Sequence, residues 1–171
     1  GKAFSTGVDG LNGKRSSMSL LNIGYVTSGL FWDGRAATLE QQALAPVEDP
    51  IELHESWGNV IEKLQRDPDY PKWFRQAFGI KDKREMTKEL AAKAIAQFER
   101  TMVSGNSRYD EVFIRGEDFP SDSELRGYEM FFDFNGLLPD AECGHCHGSI
   151  LMTTHSYFNN AIDSVSQLTG F

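Results

Sequence analysis

One short motif, C-x-x-C-H at residues 143–147, constrains this sequence more than any other feature. Positions three apart share a face on a helical turn, so Cys143 and Cys146 can both reach the vinyl groups of one haem and form thioether bonds. His147 follows directly, and the covalent tether would hold its imidazole beneath the iron as the proximal ligand. The motif therefore predicts one c-type haem.

Three other chemistries use the same residue types. A thioredoxin-like redox pair needs a strand–helix–strand context that the sequence does not show. A zinc site would add His155 to the three side chains, but it would lack the second, separated ligand cluster that is usual in tetrahedral sites. A structural disulfide between Cys143 and Cys146 would close a very small loop and constrain little of the unfolded chain. Haem attachment is the interpretation that we adopt.

Length and charge limit the classes of protein to consider. A chain of 171 residues with 40% hydrophobic residues can bury one sizeable core or parts of two. No apolar run approaches the roughly 20 residues that a membrane span needs, and the formal net charge of −8 disfavours binding to nucleic acid. The acidic surface would suit a basic electron-carrier protein, although surplus carboxylates also serve solubility alone.

Helical periodicity dominates the chain. Apolar residues recur every three or four positions in segments separated by Gly or Pro, which begin near residues 38, 55, 70, 87 and 121. No alternation typical of a strand persists, and no repeat period is present. The predicted class is therefore all-α.

Some helix ends are also predicted. Thr38–Gln41 and Ser121–Glu124 have the composition of capping boxes, and Pro46 is expected to end the first helix. The longest helix is predicted to begin after Thr87 and to continue through Val103. Its apolar stripe consists of Leu90, Ala94, Ile95, Phe98 and Met102.

Several further stretches carry recognisable motifs in a fixed order. They are Phe31–Ala36 (FWDGRA), Thr38–Ala43 (TLEQQA) with Pro46, Pro50–Glu52 (PIE), Phe98–Thr101 (FERT) and Glu124–Gly127 (ELRG), followed by the C-x-x-C-H run. Together they resemble the bacterial di-haem cytochrome c peroxidases and their relatives, which include the di-haem enzyme of methylamine utilisation. The resemblance covers nearly the whole chain. Its first stretch is quite specific, whereas the haem run is specific only to c-type cytochromes.

The resemblance implies an organisation in two domains. Members of the family resemble two packed cytochrome c-like domains, each with one haem, and both domains would be incomplete in this chain. Residues 1–103 would be the remainder of the N-terminal, peroxidatic domain without its haem motif. Residues 104–171 would begin the C-terminal, electron-transfer domain, whose haem c is tethered by Cys143 and Cys146 and bound by His147.

The resemblance also implies roles for four residues of the first domain. Trp32 matches the tryptophan that lies between the two haems and assists electron passage. Gln42, Pro46 and Glu52 match residues that line the peroxide pocket. The residue types suit the chemistry, because a carboxyl group such as that of Glu52 can carry a proton between the two oxygens of peroxide. Without the resemblance, Glu52 would be interpreted as a solvated charge and Trp32 as a core aromatic.

The sequence departs from the family pattern at its ends. The first C-x-x-C-H motif is expected upstream of Gly1, and the methionine that binds the second iron is expected beyond Phe171. We therefore expect a fragment that is inactive alone. Met152 is too close to His147 to round the macrocycle and bind the iron, since five residues span too short a path. His155 is interpreted as a surface residue.

Two departures concern the segment before Phe31. It lacks the histidine that binds the first haem in many resting peroxidases, and members without this histidine need no reductive activation. Ser16 stands where the family usually has an asparagine that binds calcium, so calcium is expected only if Ser16 offers an oxygen in its place. His54 and His145 have no partner that suggests a role in binding a metal.

The leading functional interpretation is a periplasmic di-haem oxidoreductase. As a peroxidase, the parent protein would reduce hydrogen peroxide to water with electrons from a small donor protein, a cytochrome c or a cupredoxin. The alternatives are a c-type electron-transfer module and a relative that oxidises side chains of a partner protein. In bacteria the haem tether is made outside the cytoplasm, so a precursor would have needed an export signal. A first residue of Gly1 instead of methionine therefore suggests a processed or excised product. The sequence is compatible with a homodimer.

Overall fold

The computed structural model describes residues 4–149 and 151–157, and their regular structure is helical. The helices are α1 (Leu39–Glu48), α2 (Trp57–Arg66), α3 (Tyr70–Phe78), α4 (Lys88–Glu99) and α5 (Asp122–Phe132), with 3₁₀ turns at Ile23–Tyr25 and Lys83–Glu85 and a π-helical turn at Asp110–Ile114. Within the described ranges there is no β-strand, only the isolated bridges Thr6–Asn12 and Leu30–Ala36. The prediction of an all-α chain is confirmed.

The chain divides into two compact units, Gly1–Met102 and Val103–Phe171. The first unit contains α1 to α4, and the second contains α5. None of the helices in the described part of the chain has the length and apolar composition needed to cross a lipid bilayer. The assignment of the two units to a peroxidatic and an electron-transfer domain stays a prediction.

Four helices begin after a hydroxyl residue that accepts a hydrogen bond from the first turn. The capping residues are Thr38, Ser56, Thr87 and Ser121. At α5 the predicted capping box is confirmed, because Ser121 and Glu124 each accept the backbone N–H of the other. At α1 only half of the box forms, since the Gln41 side chain accepts from the Ala37 N–H at 2.9 Å instead of from Thr38.

The prediction that Pro46 ends α1 is wrong, because Pro46 lies inside the helix. Proline lacks the N–H that would bond to the Gln42 carbonyl, so one internal hydrogen bond is lost. The missing hydrogen bond is two residues from the end of α1 at Glu48, so few further helical hydrogen bonds follow it. The Pro46 carbonyl accepts the Leu53 N–H at 3.1 Å, which folds the segment after α1 back onto the helix.

The core of the first unit has two parts, which meet on α1. One face of α1 packs against α4. A second cluster joins the end of α1 to α2 and α3 and consists of Val47, Trp57, Phe74, Ile80, Met86 and Ala91. The Trp57 indole N–H donates to the Leu44 carbonyl at 3.0 Å, so that α2 is tied to α1 by a polar contact as well as by burial.

Helix α4 buries a different face from the one predicted. Ala92 and Ala96 have no exposed surface, whereas Ile95 and Phe98 of the predicted stripe are 42% and 63% exposed. Small side chains let α1 and α4 approach closely, and the dispersion contacts of this close approach favour the alanine face over the bulkier one.

The end of α4 also differs from the prediction, since the helix stops at Glu99 and does not reach Val103. The Glu99 carboxyl is buried, and its Oε2 has no hydrogen-bond partner among the described residues. Burial raises the pKa of Glu99, the Arg100 charge opposes this, Glu40 adds to it, and the net pKa lies above the ordinary value. Arg100 donates to Glu40 of α1 at 2.8 Å, which joins α1 to the end of α4.

The second unit is built around aromatic rings. Phe113 and Tyr128 stack face to face, with ring centroids 4.3 Å apart and an interplanar angle of 4°. Tyr109, Phe132 and Phe134 surround Tyr128 at centroid distances between 5.0 and 6.4 Å. The sequence predicted a helix that begins near residue 121, but it did not predict the π-helical turn that carries Phe113.

Replacing Ala92 by Leu tests the buried face of α4. The added methyl groups would force α1 and α4 apart, so we expect the free energy of unfolding to fall by about 1–3 kcal/mol. Ala94→Leu, on the exposed side of the same helix, is the matched control and should change stability by less than about 0.5 kcal/mol. Denaturant unfolding measures both, and equal losses would contradict the assigned face.

Replacing Glu99 by Gln tests the buried carboxyl. A raised folded-state pKa means that the folded protein binds more protons than the unfolded chain, so stability is full below the ordinary value of 4.5 and falls as pH rises through the folded-state pKa. We expect Glu99→Gln to reduce this loss of stability. An unchanged dependence of the unfolding free energy on pH in the variant would contradict the assignment.

Candidate functional site

The C-x-x-C-H motif forms a single turn in the second unit. The His147 N–H donates to the Cys143 carbonyl at 2.9 Å, which closes the turn. Cys143 is partly exposed, Cys146 is exposed, and no disulfide joins them. Both thiols are therefore accessible for covalent bonds to an added group.

Helix α5 fixes the position of this turn. Its last carbonyls, of Met130 and Phe131, accept the N–H groups of Ala141 at 2.9 Å and Gly144 at 2.8 Å. A Cβ atom on Gly144 would lie 2.9 Å from the Phe131 oxygen and 3.2 Å from a ring carbon of Phe132. Glycine is required here because the turn approaches the helix end so closely.

The His147 imidazole is oriented by a backbone carbonyl. Its Nδ1 lies 3.1 Å from the Met152 oxygen. A carbonyl only accepts hydrogen bonds, so Nδ1 carries the proton and Nε2 keeps its lone pair for a metal. The Met152 carbonyl therefore lies on the Nδ1 side of the ring, away from Nε2. The sequence did not predict this contact. That Met152 is not the second iron ligand stays a prediction.

A cavity of about 270 Å³ lies in the same unit, and Cys143, Cys146 and His147 are not among the residues that line it. Two of its lining residues contact the motif, since the Phe131 carbonyl accepts the Gly144 N–H and the Met152 carbonyl lies against His147 Nδ1. Its wall is mainly aromatic and includes Tyr109, Phe113, Tyr128, Phe131, Phe132 and Met152. A flat apolar macrocycle with two thiols and an imidazole beside it matches the chemistry of this donor set. The residues therefore fit one haem c. They offer no tether for a second haem, since the chain has only two cysteines.

Trp32 lies in a tight loop of the first unit. The loop is closed by the Leu30–Ala36 bridge, in which the Leu30 N–H donates to the Ala36 carbonyl at 2.7 Å. The Trp32 indole is 54% exposed, and its N–H donates to the Ser16 carbonyl at 2.9 Å. The prediction from residue type alone, a core aromatic, is therefore wrong, because the ring lies on the surface of its unit.

Asp33 holds the same loop together. Its carboxylate accepts from Arg15 at 2.6 Å and from Arg35 at 2.9 Å. Burial would raise the pKa of Asp33, but the hydrogen bonds from both arginines outweigh it and keep the pKa below its ordinary value. The Arg35 guanidinium also lies over the Phe31 ring, 3.5 Å from its centroid. Asp33 and Arg35 are thus fixed relative to each other.

Glu52 lies in the turn that follows α1. Asp49 organises this turn, since its carbonyl accepts the N–H of Glu52 at 3.1 Å and that of His54 at 3.0 Å. The Glu52 side chain is half-buried. Burial raises the pKa of Glu52, the charge of Asp49 raises it further, and the charge of Arg35 lowers it in part. The turn therefore presents a carboxyl group that is easier to protonate than an exposed one.

Two of the predicted pocket residues lie on α1, and a third lies in the turn that follows it. Gln42 and Pro46 are one turn apart on the same side of the helix and are half-buried. The Pro46 carbonyl binds the Leu53 N–H, which places the neighbouring Glu52 beside this end of α1. The three residues expected to bind haem, Cys143, Cys146 and His147, lie in the second unit. Arg35, whose charge acts on Glu52, was missed as a site residue although the FWDGRA stretch contains it.

His54, His155 and Ser16 have other partners. His54 Nδ1 lies 2.6 Å from the Asp9 carboxylate, and the His155 N–H donates to the Thr153 hydroxyl at 3.1 Å. The Ser16 carbonyl accepts from Trp32. Among residues 4–149 and 151–157, no three side chains of His, Cys, Asp or Glu come together as a metal site.

Comparison with known proteins gives one family match. The model of the family described as di-haem cytochrome c peroxidase matches residues 1–118. The match ends before the C-x-x-C-H turn, so the haem assignment at residues 143–147 rests on the motif and its geometry. The match does include Trp32, Gln42, Pro46 and Glu52.

Individual proteins show the same relationship. The methylamine utilization protein MauG of Methylophilus methylotrophus is 31% identical over 96% of this chain and 47% of its own length. The cytochrome c peroxidase Ccp of Escherichia coli K12 is 32% identical over 92% of this chain and 31% of its own length. The chain thus spans less than half of these relatives.

Solved structures resemble the fold. A MauG-like protein associated with microbial copper homeostasis superposes with a TM-score of 0.75 at 32% identity and covers 90% of this chain and 43% of its own. The di-haem peroxidase BthA of Burkholderia thailandensis E264 has a TM-score of 0.67 at 27% identity, over 85% of this chain and 38% of its own. The helical architecture is therefore that of MauG-like and di-haem peroxidase structures.

Replacing Gly144 by Ala tests how α5 holds the motif. A Cβ 2.9 Å from the Phe131 oxygen must displace the turn, so we expect the unfolding free energy to fall by about 1–3 kcal/mol and covalent haem content to fall with it. Gly105→Ala, whose Cβ would meet no atom within 4 Å, is the control. Unfolding curves and haem absorbance measure both variants, and equal behaviour would contradict the steric account.

Proposed function

Because the chain belongs to the di-haem cytochrome c peroxidase family, we propose that the longer protein of which it forms part reduces hydrogen peroxide to water. The observation that carries this proposal is the half-buried Glu52 carboxyl with its raised pKa beside Pro46 at the end of α1. The reaction takes up two protons and two electrons for each peroxide. The protons need a side chain that both accepts and donates them within a sheltered pocket.

Glu52 performs this proton transfer in our proposal. Its carboxylate would accept a proton from one oxygen of hydrogen peroxide and return it to the other oxygen, which leaves as water. A pKa above the ordinary value of 4.5 serves both steps, because a pKa closer to neutral pH lets the same carboxyl group accept a proton and then donate it. Burial is the main reason that the pKa of Glu52 is raised; the Asp49 charge adds to it and the Arg35 charge opposes it. Gln42 and Pro46 line the same pocket.

The second unit supplies electrons. Haem c bound to Cys143, Cys146 and His147 would contribute one-electron redox chemistry. The Met152 carbonyl holds the His147 ring in the tautomer and orientation that a metal needs. Trp32 assists electron passage between the two halves of the protein in this proposal, and its bond to the Ser16 carbonyl fixes the orientation of the indole.

Partners and location follow from the same chemistry. The electron donor would be a small redox protein, a cytochrome c or a cupredoxin, and the net charge of −8 suits a basic donor. We place the parent protein in the periplasm, where bacterial c-type haem is attached. A homodimer is compatible with this proposal.

Replacing Glu52 by Gln in the full-length, haem-loaded protein tests the proton transfer. Gln cannot exchange a proton, so we expect kcat for peroxide reduction, with a reduced c-type cytochrome as donor, to fall roughly 10²- to 10⁴-fold. Haem content should not change. Glu48→Gln, the same substitution at an exposed position on α1, should retain wild-type turnover.

Two outcomes would contradict the proposal. Equal turnover of Glu52→Gln and wild-type protein would remove Glu52 from the reaction. An absence of peroxide turnover in the wild-type protein itself would favour the electron-transfer module or the relative that oxidises side chains of a partner protein.

A further inference from the structure

We propose that the N-terminal loop, residues 5–16, positions Glu52 against the Trp32 loop and that Gly7 is the residue on which this depends. The inference rests on the proposed function, because it assigns the loop a role in the reaction. The backbone hydrogen bonds of the loop and the close approach of Gly7 to Ile51 do not depend on which reaction the protein catalyses. Gly7 is a positioning residue in this proposal, since it acts only through Glu52.

The loop holds its own shape. The Gly7 N–H donates to the Leu11 carbonyl at 2.8 Å, and the Gly13 N–H donates to the Ser5 carbonyl at 2.9 Å. Thr6 and Asn12 form an antiparallel bridge between these bonds. Because these hydrogen bonds cross the loop, the two ends of the loop hold a fixed position relative to each other.

One side of the loop contacts the turn that carries Glu52. The Val8 N–H donates to the Glu52 carbonyl at 2.8 Å. A Cβ atom on Gly7 would lie 1.6 Å from the Ile51 oxygen and 2.7 Å from the Glu52 oxygen, which no side chain could accommodate. Asp9 and His54 form an exposed pair beyond this contact. Glycine at position 7 thus lets the loop hold the Glu52 main chain directly.

The other end of the loop contacts the segment that carries Trp32. Arg15 donates to Asp33 at 2.6 Å, and the Ser16 carbonyl accepts the Trp32 indole N–H at 2.9 Å. Asp33 is also bound to Arg35, whose charge acts on Glu52. The loop therefore links the proposed proton carrier and the proposed electron bridge through one short piece of backbone.

Gly7→Ala and Gly13→Ala in the full-length, haem-loaded protein form a matched pair. A Cβ at Gly13 would lie 3.7 Å from the Arg15 oxygen, an ordinary contact. Both variants change the flexibility of the unfolded chain equally. We expect Gly7→Ala to lower kcat roughly 10- to 100-fold by displacing Glu52 and to move the pH at which the rate is half-maximal, while Gly13→Ala stays near wild type.

A double variant separates positioning from general damage. If Gly7 acts through Glu52, adding Gly7→Ala to Glu52→Gln should lower kcat little further. Multiplicative effects of the two substitutions would overturn the inference. So would equal effects of Gly7→Ala and Gly13→Ala. If Glu52→Gln itself left turnover unchanged, the proposed function would fail instead.

Hydrogen exchange gives a readout that does not depend on activity. The Leu53 and His54 N–H groups are bonded within the Glu52 turn, and Gly7→Ala should accelerate their exchange whereas Gly13→Ala should not. Asp9→Asn leaves the loop backbone unchanged and serves if Gly7→Ala does not fold. The exposed Asp9–His54 pair contributes little, so its loss should accelerate exchange about two- to fivefold. Wild-type exchange rates in Gly7→Ala, or in Asp9→Asn if Gly7→Ala does not fold, would overturn the inference.

Discussion

Close packing of α1 against α4 is the contact from which the arrangement of the first unit follows. It depends on alanine side chains, of which Ala92 and Ala96 are wholly buried, and on the Glu40–Arg100 pair at the helix ends. With α1 held in this way, its C-terminal end has a fixed place. The Pro46 carbonyl and Asp49 then fold the next turn back, and that turn carries Glu52. A steric property of small residues thus determines where a carboxyl group lies.

The chemistry is divided between the two units. The first contains a half-buried carboxyl, a fixed indole and a loop that contacts both, and it has no cysteine with which to tether a haem. The second contains accessible thiols, an oriented imidazole and an aromatic cavity. Our proposal therefore assigns proton transfer and haem attachment to separate parts of the sequence. The C-x-x-C-H turn, the most conspicuous motif, serves electron supply in our proposal, and the reacting oxygen atoms are handled around Glu52.

Local signals predicted the parts of the fold that depend on few residues. Ser121 and Glu124 form the predicted box, and α4 begins after Thr87 as predicted. The buried face of α4 could not be predicted, because hydropathy ranks Ile95 and Phe98 above alanine and takes no account of how closely two helices approach.

The same limit applies to the candidate site. The roles of the two thiols and of His147 could be predicted from the spacing of the motif. The contact of the Met152 carbonyl with His147 and the close approach of Gly7 to Ile51 involve backbone atoms, so they could not be predicted from the side-chain types. Pro46 shows the converse. Its residue type predicts a helix end, but the single lost hydrogen bond lies in the last turn of α1, where few further helical bonds depend on it.

The measurement that tests the central claim most directly is the haem stoichiometry and spin state of the full-length protein, obtained from its intact mass and its optical spectrum. Our account predicts two covalently bound haems, one of them on a peptide that contains Cys143 and Cys146. It also predicts a high-spin signal that changes when peroxide is added. A single six-coordinate haem whose spectrum does not respond to peroxide would contradict it and would identify an electron-transfer protein.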